Sequence, residues 1–274
     1  MYSTNYHRAS SLKDAQALFK KAGDGKFVSG GQTLLPTMKQ RLAAPSDLID
    51  LRHVKDLKGI KVSGKKVTIG AATTHAEVAT NDKIAKVCPA ICSLVCPAIC
   101  SLASHIGDPA VRHMGTIGGS IANNDPAADY PAAMMALGAT IHTNKRQIAA
   151  DKFFKGMFET ALKDGEIITA VEFSAPKKAA YSKYPNPASR YAMCGVFVAD
   201  HGKGDVRVAV TGAGNDGVFR HKAMEKALAA DWSPEAVASA KVNEGDMLSD
   251  IHGNEAYRAN LVRVMAKRAV AAAG

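Results

Sequence analysis

Two stretches of the 274-residue chain set paired glycines among hydroxyl residues. In KFVSGGQTLLPTMKQRL, residues 26–42, the apolar Phe27-Val28 leads through Ser29, Gly30, Gly31, Gln32 and Thr33 into an apolar-periodic segment starting at Leu34. In HMGTIGGSIANNDPAADYPAAMMALGATI, residues 113–141, Thr116, Ile117, Gly118, Gly119 and Ser120 play the same part. Glycine lets a backbone come close to a ligand and take positive φ. Free amides in such a turn make an anion-binding concavity, to which Ser and Thr hydroxyls add donors. One Gly-Gly turn is ordinarily just a turn. Two in one chain, each with hydroxyls, fit a pyrophosphate held from both sides. Neither is a Walker loop, since no Gly-Lys-Ser/Thr follows, and neither matches the GxGxxG fingerprint.

The second turn runs into Asn123-Asn124-Asp125-Pro126-Ala127-Ala128-Asp129, a loop carrying two carboxylates. Asp125 before Pro126 reads as a turn or helix-start device. Asp129 fits that role equally with accepting a hydrogen bond from a ribose or flavin hydroxyl.

Cysteine is the other chemically suggestive residue. Cys88, Cys92, Cys96 and Cys100 recur every fourth residue. On a helix they would span about 18 Å at a rise of about 1.5 Å per residue. No single ion reaches all four, and Pro89 and Pro97 interrupt the helix. Residues 87–94 and 95–102 are the same octapeptide, VCPAICSL. True repeat architectures diverge between copies and have longer periods, so this looks like a recent duplication or a sequence artefact. One copy alone reads as an amphipathic helix with Ile84, Val87, Ile91 and Leu94 on one face, its cysteines small buried hydrophobes. No metal site is expected.

The elements that must position these residues belong to an ordinary globular chain, 47% hydrophobic and 22% charged. No apolar run approaches the roughly 20 residues that span a bilayer. The N-terminus lacks the layout of a secretory signal, so a cytoplasmic protein is expected. The net charge of +10 is spread along the chain. Apart from Lys177-Lys178 with Lys183 nearby it forms no cluster, which argues against nucleic acid and suits an acidic partner subunit or an anionic ligand. Periodicity predicts helices over 12–22 and 257–270, strands at 47–51 and 205–213, and a hairpin over 59–72 turning at Gly64. The nine histidines are scattered, with no HExxH or nucleophile elbow, and the five cysteines lack a ferredoxin spacing.

Taken together, GGQTLLPTMKQRLAAPSDLIDL and IGDPAVRHMGTIGGSIANNDPAADYPAAMMALGA resemble the FAD-binding medium subunit of the molybdenum hydroxylases, the family of xanthine and carbon monoxide dehydrogenases. The resemblance continues through VEFSAPKKAAYSKYPNPASRYAMCGVFVA and the C-terminal EAYRANLVRVMAKRAV. It implies an α+β protein: an N-terminal FAD-binding region of two α/β subdomains of the vanillyl-alcohol-oxidase type, then a C-terminal α+β domain with a small antiparallel sheet. The divisions expected are 1–57, 58–175 and 176–274. It further implies that Ser29, Gly30, Gly31, Gln32, Thr33 and Leu34 wrap the FAD pyrophosphate, with Thr116, Gly118, Gly119 and Ser120 on its other side. Asp129 becomes a polar FAD contact, and Ile106 and Ile168 pack near the flavin, a role that overlaps with plain core packing. Lys183 reaches the flavin's polar edge, where a cation favours the reduced anionic form; burial statistics alone favour a solvated surface lysine there.

The family's activity implies an electron-transfer subunit. A molybdenum cofactor in a large partner subunit oxidises the substrate with water as oxygen source. Electrons cross two 2Fe–2S clusters in a small partner subunit, reach FAD here and leave to an external acceptor. A dimer of heterotrimers is expected, with no catalytic acid or base in this chain. A stand-alone FAD oxidoreductase and a non-redox nucleotide-binding module are the alternatives. The chain departs from the pattern twice. The duplicated octapeptide must loop out, or the following motif is misaimed. Gln32, Thr33 and Ser120 stand where the carbon monoxide branch tends to carry His, Ser and Asn, which weighs against carbon monoxide as substrate.

Overall fold

A computed structural model describes residues 1–85 and 97–274. Three short strands open the chain: β1 (Asn5–Arg8), β2 (Gly25–Val28) and β3 (Asp47–Asp50). They run parallel in the order β1-β3-β2. Parallel neighbours require crossovers, supplied by the helices Leu12–Lys21 and Leu34–Lys39. The first starts where the Ser11 hydroxyl accepts the Asp14 amide and ends on Lys20 and Lys21, which suit the negative end of its dipole. Strand β3, flanked on both sides, is buried at all four positions.

The next sheet is antiparallel throughout. Strands β4 (Ile60–Ser63) and β5 (Lys66–Gly70) form the expected hairpin, with Gly64 at φ +58°. They are joined by β6 (Thr140–Thr143), β7 (Gln147–Ala149) and β10 (Ile168–Ser174) in the order β4-β5-β10-β6-β7. A two-stranded ribbon, β8 (Phe154–Gly156) and β9 (Glu159–Thr160), lies between. Among the described residues, short helices occupy much of the chain from β5 to β6. Those nearest the cavity are His75–Ala79, Pro109–Met114, Ile117–Asn123 and Tyr130–Ala136.

The third sheet is β11 (Lys178–Pro185), β12 (Ala192–Asp200), β13 (Val206–Thr211) and β14 (Phe219–Arg220), antiparallel in chain order. Alternation along β12 explains its continuous apolar run. Val196 and Val198 pack into a core with Met224, Leu228, Val262 and Met265 of the C-terminal helices. Phe197 and Ala199 point the other way, into the core shared with Tyr130, Met134 and the five-stranded sheet. Successive side chains leave opposite faces of a strand, so one strand ties two cores together.

The last helix, Glu255–Ala273, extends beyond the predicted 257–270 at both ends, and Asn254 sets its start by accepting the Tyr257 amide. Arg258 is buried at its start and donates to the carbonyls of Met193 and Gly212 and to Asp250. Cys88, Cys92 and Cys96, with Val87, Ile91, Leu94 and the looping-out of the octapeptide, lie outside the described residues. Cys100 and Cys194 are buried thiols, pushed by burial up to about 11 and about 12. Among the described residues no helix is long and apolar enough to cross a membrane.

Candidate functional site

The two glycine turns meet. Strand β2 delivers residues 29–33 toward the break before the helix Ile117–Asn123, and the contact leaves no room for a side chain. A Cβ on Gly30 would lie 2.4 Å from the Met114 carbonyl oxygen and 2.6 Å from the Gly115 Cα. The Thr116 hydroxyl donates to the Ser29 hydroxyl across the junction at 3.1 Å. Gly31 takes φ +70°, a left-handed conformation that favours glycine.

The backbone amides of the two turns differ in what they have left to offer. In the second turn they are engaged: Ile117 N–H donates to Thr73 O at 3.1 Å, Gly118 N–H to Ala71 O at 2.9 Å, and Gly119 N–H to the Thr116 hydroxyl at 3.2 Å. In the first turn, among the described residues, the amides of Gly30, Gly31, Gln32 and Thr33 meet no acceptor. The first turn is therefore the anion-binding concavity, and the second is a wall that holds it in shape. The glycines of the second turn divide similarly. A Cβ on Gly118 would sit 2.5 Å from Ala71 Cβ and 2.7 Å from its carbonyl oxygen, whereas one on Gly119 meets only the Thr116 hydroxyl at 3.0 Å. Gly118 is a packing glycine; Gly119 is exposed.

Both turns line a cavity of about 770 Å³, within the range of sites for sizeable ligands. Every residue expected at the site except Lys183 lines it: residues 29–34, Ile106, Thr116, Gly118, Gly119, Ser120, Asp129 and Ile168. Ile168 opens β10 and is buried in the large core as well, so its packing and lining roles coincide.

Lys183 is not a surface lysine. Its side chain is 4% exposed, and its ammonium donates to Asp129 at 3.0 Å and to the His105 carbonyl at 3.1 Å. It reaches the cavity only through Asp129. Asp129 stands at the N-cap position of the helix Tyr130–Ala136 yet makes no capping bond. Its oxygens take Tyr181 and Lys183 instead. Burial pushes its carboxyl up, against the opposing pull of Lys183 and Tyr181. Asp125 is the turn device expected, accepting the Ala127 amide at 2.8 Å, and burial pushes its carboxyl up too.

Several lining residues carried no signal in the sequence. His75, Phe158, Arg190 and Tyr191 all border the cavity. Arg190 and Tyr191 come from the β11–β12 connection, which Asn186 ties up by accepting the Ala188 and Ser189 amides. Phe158 sits at the tip of the β8–β9 ribbon at φ +57°. Its amide donates to Asn124 O, while the Asn124 side chain donates to Gly156 and Glu159 carbonyls. That tether sets the ribbon beside the second turn, though 158 is remote from both motifs in sequence.

A cavity of this volume with a nest of free amides at a glycine junction, and with carboxylates and aromatic residues in its lining, suits an anionic dinucleotide with a polar ring system. Comparison with known proteins agrees. Residues 2–176 match the family described as the FAD binding domain in molybdopterin dehydrogenase. The carbon monoxide dehydrogenase medium chain of Afipia carboxidovorans is 35% identical, over 98% of this chain and 96% of the relative. The nicotine 6-hydroxylase medium subunit of Paenarthrobacter nicotinovorans is 34% identical over the same shares. A chain of reconstituted CO dehydrogenase from Oligotropha carboxidovorans superimposes with a TM-score of 0.85, at 35% identity, over 99% of this chain and 97% of that one. The chain belongs to the FAD-binding medium subunits of the molybdenum hydroxylase family. It is an FAD-carrying subunit of a multi-subunit oxidoreductase.

Proposed function

We propose that FAD lies along this cavity with its pyrophosphate at the junction of the glycine turns. The observation that carries the assignment is the row of amides at Gly30, Gly31, Gln32 and Thr33, which meet no acceptor among the described residues and belong to residues that line the cavity. Bound there, FAD supplies a carrier that takes electrons from iron–sulfur clusters and releases them to another acceptor. The protein's part is to bind and tune. The first turn neutralises the phosphates with backbone dipoles, and the Ser29, Thr33 and Ser120 hydroxyls add donors. Ile106 and Ile168 keep water from the apolar part of the cavity. The Asp129–Lys183 pair, sealed from solvent, holds a polar contact in one orientation.

In the assembly that this function requires, a large subunit holds the molybdenum cofactor and oxidises the substrate, and a small subunit carries two 2Fe–2S clusters. The acceptor is external, and the assembly is a dimer of heterotrimers in the cytoplasm. Support comes from relatives named as a medium chain and a medium subunit, 96% of whose length this chain matches. The two relatives act on carbon monoxide and nicotine by name at nearly equal identity, so substrate choice belongs to another chain. We further divide this chain into FAD-binding subdomains 1–57 and 58–175 and a C-terminal domain 176–274, each built around one of the three main sheets.

The test is Gly30→Ala. The added methyl overlaps the Met114 carbonyl and parts the two turns, and the purified variant is expected to hold at most about a tenth of the wild-type FAD, an effect of about 1.4 kcal/mol or more. Full flavin content would remove the turn junction from the site.

A further inference from the structure

His75 begins the helix His75–Ala79 directly behind the turn junction. Its position is fixed from three sides. Thr74 and Glu77 form a reciprocal capping box, the His75 amide donates to Gly115 O at 2.9 Å, and Thr74 bridges to Thr116. The side chain is buried, borders the cavity, and packs its ring 5.4 Å from that of Tyr130. Its Nδ1 is sealed from solvent and has no partner among the described residues. Its Nε2 lies on the Gly115 side, 2.6 Å from where a Cβ on that glycine would stand.

These facts select a tautomer. Burial, helped by the nearby Arg112 charge, holds the imidazole down to about 4, so it is neutral at physiological pH and carries one N–H. An orphaned buried N–H is rarer and costlier than an under-used lone pair. Nδ1 is therefore the bare lone pair, and the proton sits on Nε2, at the ring edge beside Gly115. We propose that His75 is a further ligand of the dinucleotide, its Nε2–H donating to a pyrophosphate oxygen where the two glycine turns meet. This deepens the FAD reading and rests on it. The donor lies on the side of the junction where the helix amides are already engaged, so it supplies what the second turn's backbone does not.

The test uses the full-length protein stripped of flavin and titrated with FAD by fluorescence quenching. Glutamine at this position carries an amide nitrogen near the place of Nε2, and asparagine one near the place of Nδ1. His75→Gln is expected to keep FAD affinity within about threefold of wild type, while His75→Asn and His75→Leu weaken it about tenfold or more. Gly115→Ala, whose methyl would stand 2.6 Å from Nε2 and push the ring edge from its place, weakens it similarly. Ring ¹⁵N spectra give a second readout: the signal that His75→Gln removes is that of an Nε2-protonated ring and shifts on FAD addition. Should His75→Leu not fold, the Gln/Asn contrast and the ring shift decide. Equal affinity across the variants, or a ring unmoved by FAD, overturns the proposal alone. A wild-type protein that takes up no FAD overturns the FAD reading and this proposal with it.

Discussion

Adjacent residues at this site have opposite duties, and Gly118 and Gly119 illustrate it. Gly118 packs on Ala71 backbone, while Gly119 opens to the cavity. Gly118→Val is expected to lower the melting temperature sharply, because backbone cannot retreat from the new side chain. Gly119→Val is expected to keep most of its stability and to lose FAD. A melting curve and a flavin spectrum on each variant check the split; the same loss in both would contradict it. Asp129 and Lys183 form a sealed pair, so removing one charge strands the other. Asp129→Asn is expected to cost about 3–5 kcal/mol, measured by denaturant unfolding. Adding Lys183→Met is expected to recover part of that loss, and a double variant worse than the single one would refute the pairing. None of this was legible at Lys183, since a lysine in a polar run beside Lys177 and Lys178 carries no mark of burial. His75 was equally silent, because a histidine at a helix start looks like any other.

At the scale of elements, the loop from β9 to β10 is pinned to the β6–β7 turn by one carboxylate. Glu166 accepts from Arg146 Nε at 3.0 Å, from Thr143 at 2.7 Å and from the Lys163 amide at 2.9 Å. Arg146 first, then the amide and hydroxyl, pull its carboxyl to about 2. A folded-state value below the unfolded one, about 4.3, makes the contribution complete above pH 4.3 or so and progressively lost as pH falls toward about 2. Unfolding measured against pH is expected to show stability declining across that window, with the decline reduced in Glu166→Gln. An unchanged profile in the variant would rule out this pin as its source. Elements with local causes were readable from sequence: the hairpin at Gly64, the helix beginning at Leu12, the alternation in β13. The order β4-β5-β10-β6-β7 was not, because β5 and β10 pair across the helices and the four strands β6–β9 that come between them in the chain.

For the whole molecule, the five-stranded sheet and the third sheet share a core rather than standing apart, with Phe197 and Val198 of β12 facing different cores. The glycine turns could be recognised as a pair before folding, since each carries its own backbone logic. Their asymmetry could not, because it depends on the Ala71 and Thr73 carbonyls that tertiary packing brings to the second turn. The central claim is that this chain carries the flavin of a larger molybdenum enzyme. Isolating the complex through this chain under mild conditions, then measuring FAD, molybdenum and iron per copy, tests it most directly. The account predicts about one FAD held by this chain, with about one molybdenum and about four iron in companion chains. A complex with its metals present and no flavin on this chain would contradict it.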